Sequence, residues 1–238
     1  MKLDILAFGA HPDDVELSAS GTLINHIKKG YKCGIVDLTN GELGTRGTAE
    51  TRKSEAEAAS KIMGLHIREN LNMSDGYFLN DKTHKLEIVR MIRKYRPQIV
   101  LGNAINDRHP DHGRGSDLLT DSVFLSGLLK VETMDSGVRQ EPWRPTAVYH
   151  YIQDRYIKPD FVVDISEEWE QKMESVLAYK TQFYQPGTSG PETAISTREF
   201  LDFLKGRAIE FGRPAGFKYG EGFTVERTPG LVDLTYLK

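Results

Sequence analysis

Short apolar runs alternate with longer amphipathic segments along the first half of the chain. Three runs, LDILAFG (3–9), KCGIVDLTNG (32–41) and PQIVLGN (97–103), are strongly apolar, and IRENLNM (67–73) is a weaker one. Runs of this length that end in glycine, asparagine or proline are typical of buried strands. The pattern therefore predicts four strands in the first hundred residues.

The segments between and after these runs have helical character. They carry apolar residues at helical spacing or are rich in alanine and charge, and they are VELSASGTLINHIKKG (15–30), TAETRKSEAEAASKIMG (48–64), KLEIVRMIRKYRP (85–97) and SDLLTDSVFLSGLLK (116–130). Alternating strands and helices favour right-handed crossovers and a parallel sheet with helices on both faces. We predict an α/β fold, a Rossmann-like three-layer α/β/α arrangement with a mainly parallel sheet.

The second half is less regular. We predict strands over AVYHYI (147–152) and FVVDIS (161–166), helices over EEWEQKMESVLAYKTQF (167–183) and 192–211, and an edge strand in the tail FKYGEGFTVERTPGLVDL (217–234). The segment YQPGTSGPET (184–193) is dense in turn-forming residues and predicts a mobile loop, either a lid or a plain surface loop. No repeat or linker divides the chain, so we expect one domain over residues 1–238.

Composition narrows the class of protein. The 238 residues carry a formal net charge of −3, which gives no reason to expect a nucleic-acid or membrane partner. No apolar run approaches the roughly 20 residues that span a bilayer. The first residues predict a strand, so we expect no signal segment. Cys33 is the single cysteine, so no disulfide forms within the chain. We expect a cytoplasmic protein.

Two polar motifs follow two of the predicted strands. HPDD (11–14) comes directly after the first strand, and NDRHPDH (106–112) follows PQIVLGN. Because parallel strands present their carboxyl ends at one edge of the sheet, where ligands bind, we expect the two loops to meet. Six side chains capable of binding metal or carrying protons would converge there: His11, Asp13, Asp14, His109, Asp111 and His112.

This set suits a catalytic zinc ion. Such sites use three protein ligands, often imidazole and carboxylate, and leave a fourth position for water. The remaining side chains are then free to act as general base and acid. Each motif alone has a simpler explanation, HPDD as a helix cap and HPDH as a polar turn. A non-catalytic module remains an alternative, although GAHPDD lacks the Gly-x-Gly-x-x-Gly turn of nucleotide sites and the chain lacks the cysteines of structural zinc sites.

At these residues the sequence resembles the LmbE-like, or PIG-L, family of zinc-dependent N-acetylglucosaminide deacetylases. The resemblance rests on AHPDD and HPDH, with support from ETRKSEA (50–56) and YGEGF (219–223). Within the family the chain is most similar to the bacillithiol-pathway enzymes that deacetylate N-acetylglucosaminyl-malate. Family relatives also lead us to expect a homo-oligomer.

The resemblance implies roles for individual residues. It makes His11, Asp14 and His112 the zinc ligands and Asp13 the general base. It makes His109 the protonated group that stabilises the tetrahedral intermediate and helps the amine leave.

The resemblance further implies that Asp111 orients and charges His109, and that Arg52 reaches toward the substrate. Because a malate aglycone carries two carboxylates, arginines near the motifs are suitable partners, and Arg108 adjoins HPDH. We predict Arg52 and Arg108 as substrate-binding residues. Another N-acetylated sugar, such as a chitooligosaccharide, is the alternative substrate.

Overall fold

The fold is built around one seven-stranded sheet. In the computed structural model, which describes residues 1–187, 190–233 and 235, the strand order is β3-β2-β1-β4-β7-β9-β8. The strands of this sheet are β1 (Ile5–Gly9), β2 (Cys33–Thr39), β3 (Ile67–Met73), β4 (Ile99–Gly102), β7 (Ala147–Tyr151), β8 (Phe161–Asp164) and β9 (Gly220–Val225). The predicted α/β class and mainly parallel sheet are confirmed.

Six α-helices among the described residues cover the sheet. They are α1 (Asp14–Lys28), α2 (Ala49–Met63), α3 (Lys82–Tyr95), α4 (Pro110–Ser126), α5 (Trp169–Leu177) and α6 (Arg198–Gly212). Alternate residues of β1 lie on opposite faces of the sheet. Leu6 and Phe8 pack with α3 and α4, whereas Ile5 and Ala7 pack with α1. A further apolar cluster joins α2, α5 and α6. Within the described residues, no helix is both long and apolar enough to cross a membrane.

The tail strand lies in a different place from the one predicted. Strand β9 is antiparallel and sits between β7 and β8, so it is not an edge strand. A small hairpin of β5 (Met134–Asp135) and β6 (Val138–Arg139) was not predicted.

The helices also differ in extent from those predicted. Helix α5 ends at Leu177, and α6 begins at Arg198 because the Thr197 hydroxyl caps it by accepting the Phe200 N–H. The predicted 184–193 loop includes Thr188 and Ser189, which lie outside the described residues.

A buried ion cluster ties β3 to β2 and α1 beneath the carboxyl edge of the sheet. The Arg68 guanidinium binds Asp37 through Nε–Oδ2 and Nη2–Oδ1 contacts of 2.7 and 2.9 Å, and its Nη1 lies 2.5 Å from Glu16 Oε1. All three side chains are nearly inaccessible to solvent. The two carboxylates therefore depend on one cation for compensation.

We predict that Arg68→Met strongly destabilises the protein. The substitution leaves Asp37 and Glu16 as buried carboxylates without their cation, a change that costs about 3–5 kcal/mol. Urea unfolding followed by circular dichroism measures it. Arg139→Met is the control, because Arg139 pairs with Glu132 in solvent, where the loss should stay below about 1 kcal/mol. Equal stability of the two variants would contradict the prediction.

Candidate active site

The two motif loops meet at the carboxyl edge of the sheet, as the sequence predicts. Strand β1 pairs with β4, so the loop after β1 lies beside the loop after β4. The imidazole rings of His11, His109 and His112 lie within 4.6–5.6 Å of one another, centroid to centroid. All six predicted metal-binding or proton-carrying side chains are thus within one cluster, and five of them, all except Asp111, line the same cleft.

The carboxylate of Asp14 lies between two histidines. Its Oδ1 is 3.1 Å from His112 Nε2, and its Oδ2 is 3.6 Å from His11 Nδ1. Two ligand atoms on one tetrahedral zinc, each about 2.0–2.1 Å from the metal, lie roughly 3.3 Å apart. The spacing of His112 Nε2 and Asp14 Oδ1 fits two ligands of one zinc ion, and His11, whose ring contacts the other oxygen of Asp14, supplies a further imidazole donor beside them.

The outward ring nitrogens of both histidines are bound by carboxylates that the sequence analysis did not single out. His11 Nε2 lies 2.9 Å from Asp75 Oδ1, and His112 Nδ1 lies 2.5 Å from Asp107 Oδ2. A metal-bound histidine commonly donates its other ring N–H to a carboxylate, which fixes the ring and its tautomer. This arrangement leaves His11 Nδ1 and His112 Nε2 facing Asp14.

Two groupings around His11 that do not include Asp14 have all their ligand atoms within 4.8 Å of one another. His11 combines with His109 and His112 in one, and with Asp75 and Asp111 in another. In the second grouping each carboxylate already has donors: Leu43 N–H for Asp75, and Gly76 N–H and Arg114 for Asp111. The set of His11, Asp14 and His112 is the one that the resemblance implies, and we use it in the proposal below.

Buried charge pairs determine the protonation of the metal-free cluster. Burial opposes the charging of His11, but hydrogen bonds to Asp111, Asp14 and Asp75 outweigh it and hold the pKa of His11 well above its ordinary value. Burial likewise opposes charging of His112, yet Asp14 and Asp107 raise its pKa to about 9. Burial would raise the pKa of Asp14, but His112 and His11 hold it well below its ordinary range.

Asp13 has an unusual backbone and an ionic partner. It occupies the N-cap position of α1 with φ of 115°, in the left-handed region, and its side chain makes no capping bond. Its Oδ2 instead accepts a 2.7 Å hydrogen bond from Arg52 Nη2. Burial raises the pKa of Asp13 to about 7, with the charge of Arg52 opposing the rise. A carboxylate that titrates near neutral pH suits a general base.

Asp111 contacts His109 through its backbone, and the predicted orienting and charging role of its carboxylate stays a prediction. Helix α4 begins at Pro110, so the backbone N–H of Asp111 donates to His109 Nδ1 at 3.2 Å, while its carboxylate contacts Arg114, Gly76 and His11. Burial and the charges of His11 and His112 lower the pKa of His109, and the opposing effect of Asp111 is smaller. Because Nδ1 accepts, the proton of neutral His109 is on Nε2.

The two predicted substrate-binding arginines have different surroundings. Arg52 is 5% exposed, and its guanidinium also donates to the Pro12 carbonyl and to Gln182 Oε1. Arg108 lines the cleft with its side chain half exposed, and it pairs with Asp154 at 3.0 Å. Contact of either residue with a substrate stays a prediction.

The cleft has a volume of about 310 Å³, which is within the range of small-molecule sites. Its floor is the polar cluster, and one wall is apolar. Residues of α6 and the segment before it form that wall: Ile195, Phe200, Phe203, Leu204 and Phe211. The enclosed space accommodates a ligand of about the size of a monosaccharide conjugate.

Four buried residues of the site were missed by sequence reasoning: Asp75, Asn103, Asp107 and Gln153. All of them follow the carboxyl ends of parallel strands β3, β4 or β7. That position was the available signal, because it is the same one that identified HPDD.

The chain is similar to several known proteins. The family model described as PIG-L, GlcNAc-PI de-N-acetylase, matches residues 6–123, which include both motif loops. A diacetylchitobiose deacetylase from Thermococcus kodakarensis is 28% identical over 237 residues, covering 95% of this chain and 84% of that protein. A mycothiol S-conjugate amidase from Streptomyces coelicolor is 28% identical over 182 residues, and the match covers 63% of this chain and 60% of that protein.

A solved structure matches nearly end to end. The conserved protein TT1542 from Thermus thermophilus is 34% identical, with a TM-score of 0.85, and the match covers 98% of both chains. The similarity therefore extends well beyond the motif-bearing first half.

We predict that zinc binding to the metal-free protein releases protons. His11 and His112 are held protonated at pH 7, and zinc binds only their neutral forms. Affinity should therefore rise as the pH increases from 7 toward about 9, because His112 loses its proton over this range. Calorimetry in buffers of different ionisation enthalpy counts the protons.

His112→Ala should release fewer protons and bind zinc more weakly. His26→Ala is the control, because His26 bonds to the Thr22 carbonyl within α1 and is not part of the cluster. Zinc binding without proton release at pH 7 would contradict the assignment.

Proposed function

The chain belongs to the PIG-L family, and we propose that it is a zinc-dependent deacetylase that hydrolyses the N-acetyl group of an N-acetylglucosamine conjugate. The observation that carries the proposal is the position of Asp14, between His11 Nδ1 and His112 Nε2, with Asp13 next to it on the same cleft. Relatives whose names describe deacetylases and amidases of sugar conjugates support the reaction class.

His11, Asp14 and His112 would hold the zinc. When bound, the metal supplies Lewis acidity toward the acetyl oxygen and lowers the pKa of water. All three ligands line the cleft, from which a substrate would approach, and Asp75 and Asp107 hold the two imidazole rings through their other nitrogens.

Asp13 would take the proton from the attacking water. One of its oxygens, Oδ2, is held by Arg52, and Oδ1 has no hydrogen-bond partner within the part of the chain that the structure describes. The contact with Arg52 orients the carboxylate without occupying both of its oxygens. Arg52 would therefore position Asp13, in addition to its predicted contact with the substrate.

His109 would stabilise the negative charge that develops on the acetyl oxygen and, in its protonated form, pass a proton to the leaving amine. The neutral ring presents an Nε2–H donor, because Asp111 N–H occupies Nδ1. Asp111 favours the charged form of His109 electrostatically, although burial and the neighbouring imidazoles outweigh it and lower the pKa of His109. The amine that leaves is the free glucosamine nitrogen, and the other product is acetate.

For the substrate we propose N-acetylglucosaminyl-malate, the conjugate of bacillithiol biosynthesis, acted on in the cytoplasm. The resemblance of the sequence supports it, together with Arg108, a half-exposed cation on the cleft whose partner Asp154 is itself partly exposed. A carboxylate of the conjugate would exchange with Asp154. A chitooligosaccharide is the second candidate, and the name of the Thermococcus relative favours it.

We predict that the zinc-loaded protein deacetylates N-acetylglucosaminyl-malate far faster than free N-acetylglucosamine. Arg108→Ala should raise KM for the malate conjugate by roughly 10–100-fold, the worth of one charged hydrogen bond, and leave the free sugar unaffected. Released amine is assayed on both substrates and on N,N′-diacetylchitobiose.

Arg155→Ala is the matched control, because the Arg155 side chain bonds to Asn106, in the same loop as Arg108, but does not line the cleft. Equal rates on the conjugate and the free sugar would exclude the malate assignment and leave the deacetylase assignment intact. Fastest turnover of diacetylchitobiose would support the second candidate. Absence of amine release from every substrate would overturn the proposed function.

We predict that Asp13 and Asp14, although adjacent in the chain, have different roles. Asp14→Ala should lose zinc, whereas Asp13→Asn should keep it and lose roughly 10²–10⁴ in kcat, the usual worth of a general base. Asparagine tolerates the left-handed backbone at this position and still accepts the Arg52 bond. Zinc content by atomic spectroscopy is measured beside turnover at saturating zinc. A metal-free Asp13→Asn with a zinc-loaded Asp14→Ala would reverse the assignment.

A further inference from the structure

Two buried amide side chains, Asn103 and Gln153, enclose the Asp14 carboxylate in a closed ring of hydrogen bonds. Asn103 Nδ2 donates to Asp14 Oδ2 at 2.9 Å, and Gln153 Nε2 donates to Asp14 Oδ1 at 3.0 Å. The ring closes because Asn103 Nδ2 also donates to Gln153 Oε1 at 2.9 Å. The exposed fractions of the two residues are only 2% and 9%.

The orientation of both amides is determined by backbone donors. Asn103 Oδ1 accepts the Ala10 N–H at 2.9 Å, and Gln153 Oε1 accepts the Ala104 N–H at 3.1 Å. A backbone N–H requires an oxygen opposite it, so a flipped amide would place two donors against each other. Both NH₂ groups therefore face Asp14.

The backbones that carry these amides are also held. His150 Nδ1 lies 2.9 Å from the Asn103 carbonyl, and Arg207 donates to the Gln153 carbonyl. Asn103 directly follows β4, and Gln153 lies two residues after β7. The ring is thus attached to neighbouring strands of the sheet, which makes it a rigid support for Asp14.

The two oxygens of Asp14 have different hydrogen-bond partners. Oδ2 accepts the His11 backbone N–H at 2.9 Å as well as Asn103. Gln153 is the one uncharged donor to Oδ1, whose other side faces His112 Nε2, a nitrogen that must lose its proton before it binds zinc. An uncharged amide donor binds a carboxylate without neutralising its negative charge. The charge therefore remains available to attract a metal ion. The free lone pair on the side of the histidines belongs to Oδ1.

We infer that Asn103 and Gln153 are positioning residues that hold Asp14 as a one-oxygen metal ligand through Oδ1, and that they set the affinity of the site for zinc. The inference rests on the metal set of the proposed function. It extends that set because neither amide belongs to the predicted ligands or proton carriers.

The test is the zinc dissociation constant of Asn103→Ala and Gln153→Met, measured by competition with a chromophoric chelator. Loss of a side chain that orients a metal ligand typically weakens binding by roughly 10–100-fold, and we expect that range for each variant. The double variant should lose less than the product of the two, because one ring is broken in both cases. The cobalt(II)-loaded variants should also show changed visible absorption, since Asp14 is freed to bind through both oxygens.

Gln182→Met is the matched control for zinc affinity. Gln182 is a buried amide on the same cleft, but it bonds to Arg52 and to the Arg46 carbonyl and not to Asp14. Its zinc affinity and cobalt spectrum should equal those of the wild type. Circular dichroism and melting temperature establish that each variant is folded, and Gln153→Met alone carries the test if Asn103→Ala does not fold.

Wild-type zinc affinity and an unchanged cobalt spectrum in the folded variants would overturn the inference, and the two amides would then only support the fold. Wild-type protein that binds zinc no better than His112→Ala would overturn it together with the metal assignment. Tight zinc binding without deacetylation of any substrate would overturn the proposed function alone, and the dissociation constants of the variants would still decide the role of the amides.

Discussion

The parallel pairing of β1 with β4 is the constraint on which the site depends. From β1 the chain proceeds to β2 and β3 on one side of the sheet and then returns to place β4 on the other side of β1. Ligands of open α/β sheets bind where the strand order reverses in this way, outside the carboxyl ends of the strands. HPDD and HPDH follow the two strands that flank this point. The pairing of the two strands thus brings together motifs that are distant in the chain, and contacts such as that of His112 with Asp14 form there.

A cluster of five aspartates and three histidines at one sheet edge requires compensation. The structure supplies it chiefly through neutral or ion-paired donors: backbone N–H groups for Asp75 and Asp111, amides for Asp14, and arginines for Asp13 and Asp111. Buried carboxylates persist only when their oxygens have such partners. The same donors fix the orientation of each carboxylate, so the compensation of charge and the positioning of the site have one physical basis.

Sequence patterns were informative where several residues carried one signal. The four early strands and the three-layer class follow from repeated apolar runs, and the motif residues follow from histidines and aspartates clustered in short loops. Asp75, Asn103, Asp107 and Gln153 gave a weaker signal, because one polar residue after a strand is also typical of an ordinary turn. The place of β9 was beyond local prediction, since a strand between β7 and β8 is set by pairing with residues far away in the chain. The partners of Asp111 depend in turn on where α4 begins.

At Asp13, the capping preference of a helix start competes with the contacts of the active site. Its sequence position predicts a helix cap, and it does occupy the N-cap of α1, yet its carboxylate turns to Arg52 and caps nothing. A non-glycine residue in the left-handed region costs about 1–3 kcal/mol and persists when its surroundings over-determine it. Here the surroundings include Gly41, where an added Cβ would lie 2.9 Å from the Arg52 guanidinium carbon, so a glycine permits the arginine to reach Asp13. Three features therefore act together: the strained backbone of Asp13, the absence of a side chain at Gly41, and the buried Arg52. Together they make the Asp13 carboxylate point in a different direction from that of its neighbour Asp14.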